Sequence, residues 1–257
     1  MYVLRRVAAM YLASCLLLGC NDTQETTKAT TSSQAKTATL TTGLGTLKIA
    51  MGENAIADSL FLNGELIFQR AREPLQFYGQ KKREQDELVL VGSSCGVSCP
   101  TDQLAWIILR ANAEPQIVED RQFYAYPADI KLIDQAAGVI SIDLGYSQKQ
   151  RRYADLTGST LRFRLEPVAA SDQVLNEEAC NWLHSEVLPA CIDARKTEPD
   201  CISPHTEFPD FMDQRLNRVD DYPGFNGDRF ESLCETACKT EEIPNYKAFA
   251  SSVCSIN

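Results

Sequence analysis

The chain has 257 residues, of which 44% are hydrophobic and 23% charged, and its formal net charge at pH 7 is −10. That length is enough for one large or two modest domains, and the composition is that of an ordinary globular protein. The excess of acidic side chains disfavours binding to nucleic acid and to anionic lipid headgroups, and it would suit a basic protein partner. We therefore predict no nucleic-acid partner, and no motif in the chain points to a cofactor.

The first twenty residues have the pattern of an export signal. Arg5 and Arg6 form a short positive region, and the apolar run 7–18 that follows is too short to span a bilayer as a helix. The run ends in Leu-Leu-Gly-Cys at 17–20, which resembles the lipobox of bacterial lipoproteins. The alternatives are an ordinary signal peptide with a coincidental cysteine, or a signal anchor.

The lipobox resemblance implies a particular processing of the chain. In that family the cysteine sulfur is acylated, the chain is cut before the cysteine, and the new N-terminus is acylated as well. For this chain it implies a signal peptide over 1–19 and lipid on Cys20, through which the protein would contact the membrane. In the family it is mainly an Asp after the cysteine that retains the protein at the inner membrane. Asn21 stands there in this chain, so we expect an outer-membrane lipoprotein that faces the periplasm of a Gram-negative-type envelope.

Residues 20–38 are predicted to form a lipidated, disordered tether. The stretch 21–38 is nearly free of apolar residues and rich in Thr, Ser and Gln, so it cannot bury a core. Fully extended, it would reach about 60 Å at roughly 3.3 Å per residue. The folded part of the chain would therefore be held near the membrane without resting on it.

Residues 39–168 are predicted to form an all-β domain, either an antiparallel sandwich or a barrel-like fold. Asn63-Gly64 between two apolar runs predicts a hairpin with a type I′ turn, because both turn residues need a positive φ. Two continuous apolar runs, 88–91 and 104–109, predict buried strands. The other predicted strands are 46–50, 60–62, 65–68, 139–144, 152–156 and 161–165.

Residues 169–257 change to the pattern of a small, disulfide-rich α-helical domain, so the predicted fold class is α+β. Apolar residues at every fourth position from Leu175 to Val187 predict a first helix. It would be capped by Asp172 and end before Pro189.

Two more helices are predicted further along the chain. Asp228 is predicted to cap the second helix, and Pro244 to lie in the first turn of the third. The residues of the third helix predicted to face inward are Tyr246, Phe249, Val253 and Cys254.

The ten cysteines of the chain indicate disulfide bonds. Cys15 would leave with the signal peptide and Cys20 would take lipid, so an even number, eight, would remain in a chain exported to an oxidising space. Zinc thiolates are the alternative, which the absence of any C-x-x-C pair and the presence of only two histidines disfavour.

The cysteine spacing predicts one pairing and leaves the others open. Cys95 and Cys99 are four residues apart in a loop between two predicted strands, close enough to form a disulfide bond. Cys234 and Cys238 share one helical face and are predicted to bridge to different partners. The six cysteines of the helical domain, whose connectivity stays open, are Cys180, Cys191, Cys201, Cys234, Cys238 and Cys254.

The segment 92–96 matches the G-x-S-x-G pattern of a hydrolase nucleophile elbow, with Ser94 as the nucleophile. An elbow must lead into a helix, whereas Pro100 here leads into another predicted strand. His184 and His205 would be the only possible general bases. A serine hydrolase is therefore the third of our three hypotheses.

Two other patterns are considered as metal sites. Cys180 and His184 stand four apart on one helical face, but a site there needs further ligands, which disulfide pairing of the other cysteines would remove. The acidic segment 220–231 superficially resembles a calcium loop, yet Tyr222 and Gly224 occupy EF-hand ligand positions counted from Asp220. We predict no metal ligands, with a looser calcium site at 220–231 left open.

Taken together, the sequence predicts a binding protein without catalytic activity. The rim of the β domain around the Cys95–Cys99 loop is the expected contact surface, because preorganised surfaces lose less entropy on binding. The first hypothesis is an inhibitor or immunity-type lipoprotein that neutralises a hydrolytic enzyme or antibacterial effector in the periplasm, and the second is a structural or assembly lipoprotein of the envelope. The predicted contact residues are Gly92, Ser93, Ser94, Gly96, Val97 and Ser98.

Overall fold

The computed structural model describes residues 38–84, 86–95, 99–134, 138–169, 174–197, 199–201, 204 and 208–254. The predicted signal peptide, Cys20 and the tether up to residue 37 lie outside these residues, as do the four positions Gly96, Val97, Ser98 and His205. No helix in these described ranges is both long and apolar enough to cross a membrane.

The fold class is α+β, as predicted: antiparallel sheets come first and helices follow. Each sheet is a meander of four consecutive strands, which we call the first sheet (β1–β4), the middle sheet (β5–β8) and the third sheet (β9–β12). The strands are β1 (Ala38–Thr42), β2 (Gly45–Ala50), β3 (Ser59–Leu62), β4 (Glu65–Gln69), β5 (Leu75–Arg83), β6 (Asp86–Ser94), β7 (Asp102–Leu109), β8 (Gln116–Ala125), β9 (Lys131–Asp134), β10 (Val139–Ser147), β11 (Gln150–Thr157) and β12 (Thr160–Pro167).

The three sheets are stacked, and the middle sheet has a hydrophobic core on each face. Alternate side chains of β6 point to opposite sides, so Val89 and Val91 pack with Leu47 of the first sheet. Leu88 and Leu90 pack in a second cluster with Ile142 and Ala154 of the third sheet. This explains why β6 and β7 appear in the sequence as continuous apolar runs, because neither face of these strands meets water. The predicted sandwich thus has three layers.

The predicted type I′ turn joins β3 to β4. Asn63 has φ of 53° and Gly64 has φ of 92°, so both turn residues are in the left-handed region that this turn requires. The Asn63 side chain also accepts a hydrogen bond from the backbone N–H of Thr46 at 3.0 Å, which ties the turn to β2. The sequence prediction for this hairpin is confirmed.

All but one of the longer strand connections lie at the same end of the three sheets. The antiparallel registers place the connections β2–β3, β4–β5, β6–β7 and β8–β9 there, together with the β10–β11 turn. We call this the loop end. Its connections are bonded to one another: the N–H of Leu75 donates to Ala57 O at 2.6 Å, and that of Ser94 donates to Pro74 O at 3.1 Å. The loop end is therefore a connected surface.

The helical region contains α1 (Glu177–Trp182), α2 (Leu188–Ala194), α3 (Asp210–Asp220), α4 (Gly227–Thr240) and α5 (Tyr246–Val253). A π-helical segment, Leu183–Val187, joins α1 to α2. The prediction that the first helix ends before Pro189 is wrong, because a proline is tolerated in the first turn after the π segment, where its missing N–H is not needed. Helix α3 was not predicted at all.

The predicted helix caps also need correction. Asn226, and not Asp228, caps α4 by accepting a hydrogen bond from the N–H of Arg229 at 3.1 Å. Pro244 precedes the α5 cap, Asn245, which accepts from the N–H of Ala248 at 3.0 Å. Asn and Asp are about equally good caps, so the choice between neighbouring polar residues depended on loop geometry that the sequence does not display. Asp172 lies outside the described residues.

The structure places all eight cysteines at disulfide distance in four pairs. Cys95 pairs with Cys99, with their Cα atoms 5.5 Å apart. In the helical region Cys234 and Cys238 bridge to different partners, in agreement with the sequence expectation. The three pairs of that region are Cys180–Cys254, Cys191–Cys234 and Cys201–Cys238, with Cα separations of 5.9, 5.4 and 5.8 Å. These three bonds crosslink the helical region around a core that contains Leu183, Phe230 and Phe249.

The β sheets and the helices belong to one compact unit. At their junction, the Arg218 guanidinium of α3 pairs with the Asp129 carboxylate of the β8–β9 connection, and the Tyr222 hydroxyl donates to the same carboxylate at 3.3 Å. The backbone N–H of Lys149 in the β10–β11 turn donates to Asp221 O at 3.2 Å. A boundary between two domains at 168/169 stays a prediction.

Candidate functional site

The predicted contact residues at the end of β6 differ in accessibility. Gly92 is buried, and a Cβ atom added to it would lie 2.4 Å from Tyr78 Cε2. The Ser93 side chain is 3% exposed, Ser94 is the last residue of β6, and Cys95 is exposed. Gly96, Val97 and Ser98 lie outside the described residues. Of the described positions, those from Ser93 onward therefore lead to the surface.

A groove opens beside the Cys95–Cys99 disulfide, on the face of the middle sheet that is turned toward the first sheet. Its floor is a row of side chains on three adjacent strands, since Ser93 of β6 pairs with Gln103 of β7, and Gln103 pairs with Tyr124 of β8. The groove has a volume of about 370 Å³ and is open to solvent. We call it the loop-end groove, and its lining residues are Arg70, Glu73, Ser93, Cys95, Cys99, Thr101, Gln103 and Tyr124.

The polar side chains of the groove are held by bonds to their neighbours. The Ser93 hydroxyl donates to Glu73 Oε2 at 2.8 Å. The Gln103 amide donates to the carbonyls of Asp120 and Phe123, at 2.7 and 3.0 Å. Such bonds fix these side chains before any ligand arrives, which lowers the entropy cost of binding.

Arg70 and Tyr124 form the two sides of the groove. Arg70 is ion-paired with Glu119 of β8, which holds the guanidinium close to the sheet. Tyr124 is 40% exposed, and the guanidinium of Arg152 lies over its ring at 4.3 Å from the centroid. The same guanidinium donates to the Tyr124 carbonyl. Burial lowers the pKa of Arg152 below its ordinary value, but a guanidinium stays charged at any physiological pH.

Under the groove, a buried carboxylate ties the start of β7 to β5. Asp102 is 2% exposed, and its Oδ2 accepts hydrogen bonds from the Tyr78 hydroxyl and the Gln76 amide, both at 2.6 Å. Burial and the bond to Asp102 raise the pKa of Tyr78 well above its ordinary value, so the phenol stays protonated and keeps donating. This network stabilises the strands that carry the groove.

The hydrolase motif does not have the geometry that its chemistry requires. Ser94 ends a strand, and β6 leads through the Cys95–Cys99 loop into the next strand, β7. His184 belongs to the helical region, where its Nε2 lies 2.8 Å from Pro244 O and its ring packs on Tyr246 and Phe249. His205 lies outside the described residues. Of the two candidate histidines, the one that the structure describes is therefore engaged in the helical region.

Residues of the two candidate metal sites make other bonds in the structure. Cys180 is bonded to Cys254 and so has no free thiolate for a metal. In the segment 220–231, the Asp221 carboxylate accepts from the N–H of Gln148 at 2.9 Å, and Asn226 caps α4. In the part of the chain that the structure describes, no group of three or more His, Cys, Asp or Glu residues is placed to hold a metal ion.

Arg70, Glu73 and Gln103 were missed as groove residues by reasoning from the sequence. Arg70 and Glu73 belong to the β4–β5 connection and Gln103 belongs to β7, and the stacking of the first sheet on the middle sheet brings these two segments together. A polar Gln103 at the start of an otherwise apolar run was the one available signal.

No protein-family model, curated protein or solved structure matches the chain.

Proposed function

We propose that this chain is a lipid-anchored protein of the bacterial envelope that acts by stoichiometric binding of a protein partner. The anchor would be lipid on Cys20, and the tether after it would let the folded part reach partners in the periplasm. The partner that fits best is a hydrolytic enzyme or antibacterial effector that enters this space. The protein would then be an outer-membrane lipoprotein of the inhibitor or immunity type.

The observation that carries the proposal is the construction of the loop end. Four connections from three stacked sheets lie there, hydrogen bonds join the β4–β5 connection to β2–β3 and to the end of β6, and the β6–β7 connection is closed by the Cys95–Cys99 disulfide. Beneath them lies a middle sheet with a core on both faces, which supports the strands that carry these connections. A preorganised surface of this kind loses little entropy on binding.

The net charge agrees with a basic partner. Loss of Arg5 and Arg6 with the signal peptide would remove two positive charges from a net charge of −10, leaving −12. Such a surface raises the association rate of a basic protein and lowers that of nucleic acid. A periplasmic effector with a basic surface is therefore the partner we expect.

The test is capture of a partner from an envelope extract by the intact protein and by two variants with the same charge change. Glu73→Lys alters the loop-end groove, and Glu65→Lys alters an exposed residue in β4 at the opposite end of the sheets. We expect Glu73→Lys to weaken capture while Glu65→Lys leaves it unchanged, with both variants folded. Equal capture by both variants would contradict the loop end as the contact surface.

Turnover by the pure protein tests the competing class of function. Hydrolysis of ester or peptide substrates that is lost in Ser94→Ala would replace the binding proposal with a serine hydrolase. A captured partner that is a resident component of an envelope machine would favour the structural or assembly alternative.

A further inference from the structure

Tyr124 has the features of a flat stacking surface. Its ring lines the loop-end groove and is 40% exposed, whereas Trp106 and Phe123 of the same sheet are fully buried. Arg152, which does not line the groove, lies over the ring and donates to the Tyr124 carbonyl. The cation–π contact and the hydrogen bond fix the ring from one side and leave its groove side for a ligand.

Beside this ring stand three planar polar groups. The guanidinium of Arg70, the carboxylate of Glu73 and the amide of Gln103 all line the groove, and each is fixed by a bond to another protein group. The guanidinium and the carboxylate can each bind two neighbouring hydroxyls at once. The Gln103 amide, whose NH2 group already donates to two carbonyls, keeps its Oε1 as an acceptor. An apolar ring face next to such groups suits a ligand with a C–H face and a rim of hydroxyls.

The floor of the groove recognises ligands through side chains only. Strands β6 and β7 are interior strands, so their backbone N–H and C=O groups pair with the neighbouring strands. An extended peptide usually binds by adding its backbone to a free strand edge. The floor offers no such edge at β6 and β7. At the edge strand β8, the Tyr124 carbonyl already accepts from Arg152, and this disfavours an extended peptide as the ligand.

The charges around the groove balance. Arg70 is paired with Glu119, while Glu73 and Arg152 add one negative and one positive charge. A ligand with a strong net charge would gain little from this arrangement. The volume of about 370 Å³ is within the range of small-molecule sites.

From these four observations we infer that the loop-end groove binds a pyranose ring of an uncharged saccharide, stacked on Tyr124 and hydrogen-bonded by Arg70, Glu73 and Gln103. This activity is separate from the capture of a protein partner, so either one can fail while the other holds. Two sources share the chemistry: N-acetylated amino-sugar strands, and polymers of neutral hexoses.

The experiment is calorimetric titration of the full-length protein, kept in a detergent without a sugar headgroup. The two probes are chitotetraose, for N-acetylated amino sugars, and maltotetraose, for neutral hexoses. At about 10 mM probe, even a site with a Kd near 1 mM is filled. We expect saturable binding of at least one probe, and the stronger of the two identifies the source.

Variants of Tyr124 test the stacking. Tyr124→Ala and Tyr124→Leu are expected to weaken binding about fivefold, since an aromatic contact contributes about 1 kcal/mol beyond simple burial. Tyr124→Phe keeps the flat ring and is expected to bind as the parent does. The matched control is Tyr246→Ala, which removes a similarly exposed tyrosine (36%) from the helical region.

Three results would overturn the inference. They are no saturable binding of either probe, an affinity of Tyr124→Leu within twofold of the parent, and an equal loss in Tyr246→Ala. If Tyr124→Ala fails to fold, as judged by circular dichroism, the Leu and Phe variants decide. Glu73→Gln gives an independent readout, because it keeps the shape of the side chain and is expected to weaken binding severalfold.

Discussion

Gly92 shows how a core position and a surface site can be neighbours in sequence. A Cβ atom at this position would lie 2.4 Å from Tyr78 Cε2 and 3.0 Å from Leu104 Cδ2. Both of these side chains pack in the core between the middle sheet and the third sheet. The next residue, Ser93, donates to Glu73 at the floor of the groove. The glycine is therefore required for packing under the groove.

We predict that Gly92→Ala destabilises the protein by about 1–3 kcal/mol, because the added methyl group must displace the Tyr78 ring. The entropy that alanine removes from the unfolded chain would offset only about 0.4–1 kcal/mol of this. Urea unfolding measures the difference.

The control for Gly92 is Gly158→Asn in the β11–β12 turn. Gly158 has φ of 59° and open space around its Cα, and asparagine tolerates this conformation. A loss at Gly158 as large as that at Gly92 would contradict the packing explanation.

At the scale of elements, the four disulfide bonds fall into two kinds. Cys95–Cys99 closes a loop with a sequence separation of 4, and Cys95 is exposed. The three bonds of the helical region are buried and span separations of 37 to 74. A crosslink restricts the unfolded chain more when the loop it closes is longer. Stability should therefore depend mainly on the buried bonds.

We predict that replacing Cys180 and Cys254 by alanine costs about 4 kcal/mol, whereas replacing Cys95 and Cys99 costs about 2 kcal/mol or less. Denaturant unfolding of the two double variants under oxidising conditions provides the comparison. A larger loss for the Cys95 and Cys99 variant would mean that the exposed loop supports the fold itself.

The strands that the sequence predicted and those it missed differ in their place in the sheets. Four strands were missed, β1, β5, β8 and β9, and each is at the edge of its sheet. Edge strands have one neighbour and more exposed positions, so their sequences lack a clear apolar alternation. Strand β8, for example, places Glu119, Asp120 and Arg121 in succession. The edge strands β4 and β12 were found because Asn-Gly and Thr-Gly-Ser turns mark their starts.

The loop-end groove could be predicted only in part, for a related reason. Its rim, the Cys95–Cys99 loop, follows from cysteine spacing and two apolar runs. Its other side comes from the β4–β5 connection and from β8, an edge strand that the sequence did not predict. Which of these segments meet depends on the stacking order of whole sheets, and no local pattern encodes that order.

At the scale of the whole molecule, the β sheets and the helices are joined by a small polar contact. Asp129 is 11% exposed and accepts hydrogen bonds from both Arg218 and Tyr222, and Tyr146 stacks on Tyr222 at 4.8 Å between ring centroids. Burial and the nearby Asp129 carboxylate raise the pKa of Tyr222, so its hydroxyl stays protonated and donates. Asp129 is thus one of two carboxylates at the junction, the other being Asp221, which accepts from the N–H of Gln148.

We predict that Asp129→Ala destabilises the protein by about 1–3 kcal/mol, because it leaves a half-buried guanidinium and a hydroxyl without their acceptor. Hydrogen exchange should also speed up at the amides of Gln148 and Lys149, which donate to Asp221 across the same junction.

The matched control for the junction is Asp193→Ala. It breaks an ion pair with Lys196 whose side chains are 75% and 79% exposed. We expect it to cost less than about 0.5 kcal/mol. Equal losses in the two variants, or unchanged exchange at the junction in Asp129→Ala, would show that other contacts hold the helices to the sheets.

The two-sided burial of the middle sheet has a consequence for how this chain tolerates mutation. In β2, where exposed Lys48 stands between buried Leu47 and Ile49, every second position can accept a polar residue. Along β6 and β7 the alternation disappears, because a polar side chain on either face would enter a core. Polar substitutions should therefore be tolerated far better at exposed positions of the loop end than in the strands directly beneath it.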